Sequence, residues 1–167
     1  MNGKSKPYAI LVFGAPMSGK TTFADQFSAR FNAPFLNLSE LHEEHHISRK
    51  VALNLIAQIS KCKQTLVIEG ALDTEKHRNE IRKMLEAAGY NPVLIWVQTD
   101  LNEIKHRMRH KYAKISDAKI ALANSYKRIE APSDAEMPLV ISGKHTFQTQ
   151  CKNVLANLSE RRNAKKQ

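Results

Sequence analysis

The feature that most constrains this chain is the run Gly14-Ala15-Pro16-Met17-Ser18-Gly19-Lys20-Thr21, which fits G-x-x-x-x-G-K-[ST] at every fixed position. Glycines at its two ends let the backbone curl until successive N–H groups point inward at phosphate oxygens. Such a curl needs a strand leading in and a helix leading out, whose positive N-terminal end faces the same anion. Both are present. Tyr8 to Phe13 is a continuous apolar run, and Lys20 to Phe31 places Phe23, Phe27 and Phe31 at helical spacing on one face. Pro16 and Met17 shape the loop, while Lys20 is long enough to reach the β- and γ-phosphates. The Thr21 hydroxyl is of the kind that ligates Mg²⁺. Thr22 either touches an α-phosphate or is an ordinary helix residue. The motif calls for a nucleoside triphosphate, ATP with Mg²⁺, held by residues 14–22.

The rest of the chain alternates short apolar runs with helical patterns, without repeats or low-complexity stretches. Further strands are expected at Pro34–Leu38, Thr65–Glu69, Pro92–Val97 and Pro138–Ile141. A helical stretch should start from Ser39 as N-cap and run to about Ser60, with a break near His46–Ser48. Other helices are expected at Thr74–Ala88, stopped by Gly89, at Leu101–Lys111, from Ser116 through Ile129, and at Phe147–Leu158. Apolar strands separated by helices imply an α/β fold, with a five-stranded parallel sheet covered by helices on both faces. Ligands of such sheets bind beyond the carboxyl ends of the strands, which is where the phosphate loop falls. A length of 167 residues fits one domain, 1–167. Within it, residues 101–136 form a two-helix excursion between strands four and five and are a candidate lid.

Phosphoryl transfer also needs a carboxylate near the metal or the attacking group. Glu69 ends the third strand, where an acid of the Walker-B kind sits, and is the candidate catalytic and metal-side residue. Glu40 follows the second strand and is either an acceptor-side acid or a first-turn helix acid that suits the dipole. Asp73-Thr74 reads as a helix cap. Lys105, Arg107, Arg109, Lys111, Lys114 and Arg128 gather on and near the candidate lid. Closing it would bring positive charge onto the β,γ-phosphates, with Arg107 the first choice. Arg107 and Lys111 share a helix face. Arg78 and Arg82 either hold an anionic acceptor or pair with Glu75 and Glu86. His42 and His46 are four apart with Glu43 between them, but no third ligand is evident. They read as surface-helix residues rather than a zinc site.

The charge is uneven. Residues 1–100 hold 12 Lys+Arg against 10 Asp+Glu, residues 101–130 hold 8 against 3, and residues 152–167 hold 5 against 1. The excess that makes the net charge +10 therefore lies on the lid and at the C-terminal end. A basic surface attracts polyanions, so nucleic acid is a conceivable partner. No aromatic–basic alternation of the base-stacking kind accompanies it. Arg161, Arg162, Lys165 and Lys166 read as a solvated tail. Cys62 and Cys151, far apart in the chain, do not make a disulfide scaffold, and a reducing cytoplasm is the expected compartment. No apolar run is long enough to span a bilayer. The polar opening Met1–Pro7 has no apolar core of the secretory-leader kind.

Four segments together resemble a family: Gly14–Thr22, Thr65–Gly70 with Arg78, Val97–Asp100 through to Arg107, and Ile115-Ser116-Asp117 through to Ala131–Glu136. Over nearly its whole length the chain resembles the small P-loop kinases and AAA-type ATP-binding proteins grouped with bacteriophage polynucleotide kinase, zeta toxins, gluconate kinase and adenylate kinase. The resemblance implies a P-loop NTPase core that transfers the γ-phosphate of Mg-ATP to a hydroxyl or phosphate of a small molecule, nucleotide or nucleic-acid end. It also implies that adenine lies between Arg107 and the loop Gly143-Lys144-His145, which makes Lys144 a nucleotide-binding candidate. One departure stands out. Many relatives carry an Asp just after strand two, and this chain has Asn37-Leu38-Ser39-Glu40 there. Either Glu40 substitutes, or the acceptor chemistry differs, or the chain binds nucleotide and regulates without much turnover. The acceptor and the oligomeric state are not legible in the sequence.

Overall fold

A strand covered on both faces needs apolar side chains at consecutive positions, and five runs meet that need. In the computed structural model, which describes residues 6–111 and 115–164, they form strands β1 (Tyr8–Gly14), β2 (Phe35–Asn37), β3 (Leu66–Glu69), β4 (Asn91–Gln98) and β5 (Leu139–Ser142). The strands make one sheet in the order β2-β3-β1-β4-β5, and every pairing is parallel. Seven α-helices connect and extend them: α1 (Lys20–Phe31), α2 (Leu38–His45), α3 (Arg49–Ile59), α4 (Glu75–Ala87), α5 (Leu101–Lys111), α6 (Ile115–Arg128) and α7 (Phe147–Ala164). Short 3₁₀ turns lie at Ser60–Cys62 and Asp134–Glu136. No described helix is long and apolar enough to cross a membrane.

Alternation along β1 sorts the core. Ile10 and Val12 face a cluster with Phe23 and Phe27 of α1 and Val154 and Leu158 of α7. Ala9, Leu11 and Phe13 face the other way, onto Ile56 of α3 and Ile81 and Leu85 of α4. Helices therefore cover both faces of the parallel sheet, as the apolar strands require. Ile10, Ile56, Ile81 and Leu85 are fully buried, and truncating any of them to alanine should cost about 2–5 kcal/mol.

One expectation shifts at an element end, and two hold. The chain enters α2 at Leu38, not after Ser39. Asn37 caps it, accepting from the Glu40 N–H at 3.1 Å, because Leu38 is an inward-facing core residue. The break within residues 39–60 is real: His46 takes a left-handed conformation and Ser48 caps α3. Phe31 stays on the face of Phe23 and Phe27, its ring centroid 4.6 Å from that of Phe27, and is 41% exposed because α1 ends there and Asn32 turns the chain away.

Candidate phosphate-binding site

The loop between β1 and α1 is built by close approaches. Gly14 pairs in register with Val97 of the adjacent β4. A Cβ at Gly14 would stand 2.6 Å from the Val97 carbonyl oxygen and 2.7 Å from Ser18 Oγ, so only glycine fits. Met17 and Gly19 both have positive φ, 63° and 96°, which produces the curl. The Ser18 N–H donates to the Ala15 carbonyl at 3.1 Å, and the Gly19 carbonyl opens the helix by accepting from Phe23 N–H at 3.0 Å. The loop is also held from outside. Thr99 Oγ1 donates to the Ser18 carbonyl at 2.8 Å, and Ile104 and Met108 of α5 pack on Ala15 and Met17.

The register sets the acid. Glu69 at the end of β3 pairs with Val12, two residues before the loop begins. The side chain of Glu69 is fully buried. Its Oε2 accepts from the Thr21 hydroxyl at 2.9 Å, and its Oε1 lies 3.7 Å from Lys20 Nζ. Oε1 has no hydrogen-bond partner. A buried carboxylate oxygen left without one is expensive, and a cation beside Thr21 and Glu69 would relieve it. One hydroxyl and one carboxylate are hard oxygen donors that suit Mg²⁺, which keeps its waters and takes further ligands from phosphate. No group of three or more His, Cys, Asp or Glu side chains suited to a metal occurs among the described residues. The residues present thus fit Mg²⁺ and give no support to a zinc site at the histidines. His42 Nδ1 lies 2.9 Å from the Ile47 carbonyl oxygen.

Arg107 reaches the phosphate loop, though by its outer side. Its guanidinium donates to the Met17 carbonyl and to the Gly143 carbonyl, both at 3.0 Å, and to Glu103 at 2.8 Å. It thereby ties α5 to the phosphate loop and to the loop after β5. In this arrangement all three bonds hold the side chain on backbone carbonyls and on its own helix, at the edge of the cleft that Gly19 and Lys20 also line. Gly143 is pressed against the phosphate loop, and a Cβ there would stand 1.9 Å from the Ser18 carbonyl oxygen. Lys144 forms an exposed ion pair with Asp100 at 3.1 Å. The Glu103 N–H and then Lys144 hold the Asp100 carboxyl below its usual range.

Other candidates fall into structural roles. Glu40 takes a hydrogen bond from Asn37 Nδ2 at 2.8 Å and so completes the capping of α2, although it also lines the cleft. Arg78 does not pair with Glu75. It is 2% exposed, binds both oxygens of Glu136 at 2.7 and 2.9 Å, and lies over the Phe13 ring. Arg82 donates to Asn79. Thr74, as its hydroxyl shows by accepting from His77 N–H, caps α4. Lys105 and Arg109 are exposed on α5. The Lys111 side chain, Lys114, Lys165 and Lys166 lie outside the described residues. Sequence reasoning missed Thr99, Glu136 and Arg49, which is bonded to the Ala71 carbonyl. Each is defined by a partner tens of residues away, a relation no local pattern carries.

These elements enclose a cleft of about 1140 Å³ that runs from Lys20 and Thr21 past Glu69 to Asp73, Arg49 and Arg128. A phosphate-cradling loop, a buried acid and an open volume beyond it are parts of a phosphate-transfer site. Solved structures share the fold. A gluconokinase from Sinorhizobium meliloti 1021 superposes with TM-score 0.69 at 15% identity, over 94% of each chain. The Mycobacterium tuberculosis APS kinase, solved with AMPPNP and APS, gives 0.67 at 17%, over 93% of this chain and 99% of its own. Chaetomium thermophilum Kti12 with ADP-AlF3 gives 0.64 at 18%, over 92% and 98%. No curated protein sequence matches the chain. The family described as the AAA domain, under the model AAA_33, matches residues 10–132, and the chain belongs to that family.

Proposed function

We propose that this protein is an ATP-dependent kinase that transfers the γ-phosphate of Mg-ATP to a hydroxyl or phosphate on a small molecule or nucleotide. The observation that carries the reading is the cluster of Lys20, Thr21 and the buried Glu69 under a phosphate loop. The backbone N–H groups of the loop from Met17 to Thr21 and the Lys20 ammonium bind and orient the phosphates. Thr21 and Glu69 would hold Mg²⁺, which would neutralise the charge of the phosphates during transfer. Arg107 and Lys144 border the nucleoside end, where the loop after β5 meets α5. The structural neighbours include a gluconokinase and an APS kinase, which supports an acceptor of small-molecule size.

The single domain 1–167 then works with residues 101–136 as its lid. Arg107 and Met108 on the outgoing limb and Arg128 and Ile129 on the returning limb line the same cleft, so closing the excursion would shield the transfer from water. The net charge of +10 favours a second acceptor class, the 5′-hydroxyl end of a nucleic acid. The proposed setting is a reducing cytoplasm, in keeping with the two free cysteines.

ATP turnover with Mg²⁺ would be measured with sugars, sugar acids, nucleosides, APS and 5′-hydroxyl oligonucleotides. ADP release that depends on one class identifies the kinase and its acceptor. Nucleotide binding without stimulation by any of them would replace this reading with a regulatory nucleotide-binding protein. Steep salt dependence of oligonucleotide binding would single out the nucleic-acid class.

A further inference from the structure

The Asp that the family resemblance leads one to expect after β2 is absent from this chain, and Glu40 in that region is engaged in capping α2 with Asn37. A different carboxylate, Asp73, lines the same cleft from the loop after β3. The loop Gly70–Asp73 follows Glu69 directly. Gly70 has φ 91°, and a Cβ there would lie 2.5 Å from the backbone nitrogen of Ser39. Ala71 has φ 58°, a conformation that non-glycine residues adopt only where their surroundings impose it.

Those surroundings are two arginines. Arg49 Nη1 donates to the Ala71 carbonyl at 3.1 Å. Arg78 Nη1 donates to the Leu72 and Asp73 carbonyls at 3.1 and 3.4 Å. The Asp73 carbonyl also accepts from Glu130 N–H at 2.8 Å. Three successive carbonyls are thus fixed from three directions. Thr74 supplies the cap of α4, so the Asp73 carboxylate is not used for that purpose. It is exposed, lines the cleft, and makes no hydrogen bond or ion pair with a described residue. Glu43, another cleft carboxylate without a described partner, stands on α2 rather than on a pinned strand-end loop. A strained loop held this firmly is a means of presenting one side chain.

We propose that Asp73 is the catalytic base of the transfer and takes the place of the acid missing after β2. The inference rests on the kinase reading above. The acceptor O–H gives its proton to the Asp73 carboxylate as its oxygen forms a bond to the γ-phosphorus. The bond from that phosphorus to the β,γ-bridging oxygen breaks, and the electron pair leaves on ADP. Arg49 and Arg78 act as positioning residues through the loop.

The test compares wild type with Asp73→Asn, Asp73→Glu and Lys20→Ala. The probes are Mg-ATP with water, gluconate, APS, adenosine or a 5′-hydroxyl oligonucleotide as acceptor. Asp73→Asn preserves shape and leaves the carbonyl bonds of the loop intact, and an unchanged ATP affinity would verify its fold. The expected result is a fall in kcat of about 10²–10⁴-fold, loss of the acid limb of the kcat–pH profile, and partial recovery in Asp73→Glu. Unchanged kcat and pH profile in Asp73→Asn, with Lys20→Ala inactive, would overturn the role of Asp73 and leave the kinase reading standing. Wild-type protein that releases no ADP with any probe would overturn the kinase reading and this inference with it.

Discussion

The Thr21 hydroxyl donates to Glu69 at 2.9 Å across 48 residues of sequence, so the first turn of α1 and the end of β3 meet at one point beneath the phosphate loop. The bond orients the hydroxyl, and Glu69 Oε1 remains without a hydrogen-bond partner beside Lys20. Glu69→Gln keeps the shape and removes the charge. It should raise the Mg²⁺ concentration needed for ATP turnover and lower the turnover by roughly 10–100-fold. A Mg²⁺ titration of ADP release checks this, and a titration curve like that of wild type would remove Glu69 from the metal site.

Arg107 joins two loops that share no sequence. Its bonds to the Met17 and Gly143 carbonyls place one fixed charge between the phosphate loop and the loop after β5. Lysine, with a single ammonium, cannot span both acceptors with the geometry of a guanidinium. Arg107→Ala and Arg107→Lys should both weaken ATP binding by about 10–100-fold, the worth of one or two charge-assisted hydrogen bonds. Calorimetric titration with a non-hydrolysable ATP analogue would measure it. If binding and phosphate transfer are unchanged in Arg107→Ala while Lys20→Ala is inactive, the strut has no functional weight.

What could be read from the sequence was whatever depends on neighbours in the chain. The apolar run before Gly14 and the helix after Lys20 foretold the loop. Five apolar segments foretold five parallel strands, nearly to the residue. Glu69 was legible because a strand end beside a phosphate loop is a place where an acid is useful. Arg78 was visible, but its partner stayed open between an anionic acceptor and the helix acids, because Glu136 arrives from 58 residues further along the chain. Asp73-Thr74 was legible as a helix cap because both residue types favour that position. Only the folded contacts show that Thr74 takes that task and that two arginines fix the loop. Gly143 was named only within the loop that the resemblance places near adenine, and nothing local marked its contact with the Ser18 carbonyl.

Gly143 is where the loop after β5 touches the phosphate loop. Its N–H donates to the Gln98 carbonyl at 2.8 Å, which holds it in place, and a Cβ would fall 1.9 Å from the Ser18 carbonyl oxygen. The obstacle is backbone on a constrained loop, so it cannot swing aside as a side chain would. Gly143→Ala should cost about 1–3 kcal/mol, with Tm falling by about 2–4 °C for each kcal/mol in a domain of this size. ATP affinity should fall with it, because the displaced backbone carries the phosphate-binding amides. Thermal unfolding with and without ATP would reveal both effects, and an unchanged Tm would show that the two loops part without cost.

The Arg78–Glu136 pair fixes the point where the excursion of residues 101–136 returns to the sheet. Both side chains are almost wholly buried, 2% and 6% exposed, and Arg78 also binds the Glu130 carbonyl at 2.8 Å. Removing one partner strands a buried charge, so Arg78→Met should cost about 3–5 kcal/mol. Replacing both, as in Arg78→Met with Glu136→Leu, should cost less than the sum, because neither charge is then left alone. The pH dependence follows from Glu136. Hydrogen bonding to Arg78 holds its carboxyl below the ordinary range, against the opposing effect of burial. A depressed folded-state pKa stabilises the protein fully above the unfolded carboxyl value of about 4.3. That stability is lost as pH falls through the lower folded value. Wild type should therefore exceed Glu136→Gln in stability at neutral pH, and the gap should narrow as the pH is lowered through the acid range. Urea unfolding of both proteins at a series of pH values measures the gap. A gap constant down to the acid limit would mean that the ionised pair contributes nothing and that Arg78 is held by its carbonyl partners alone.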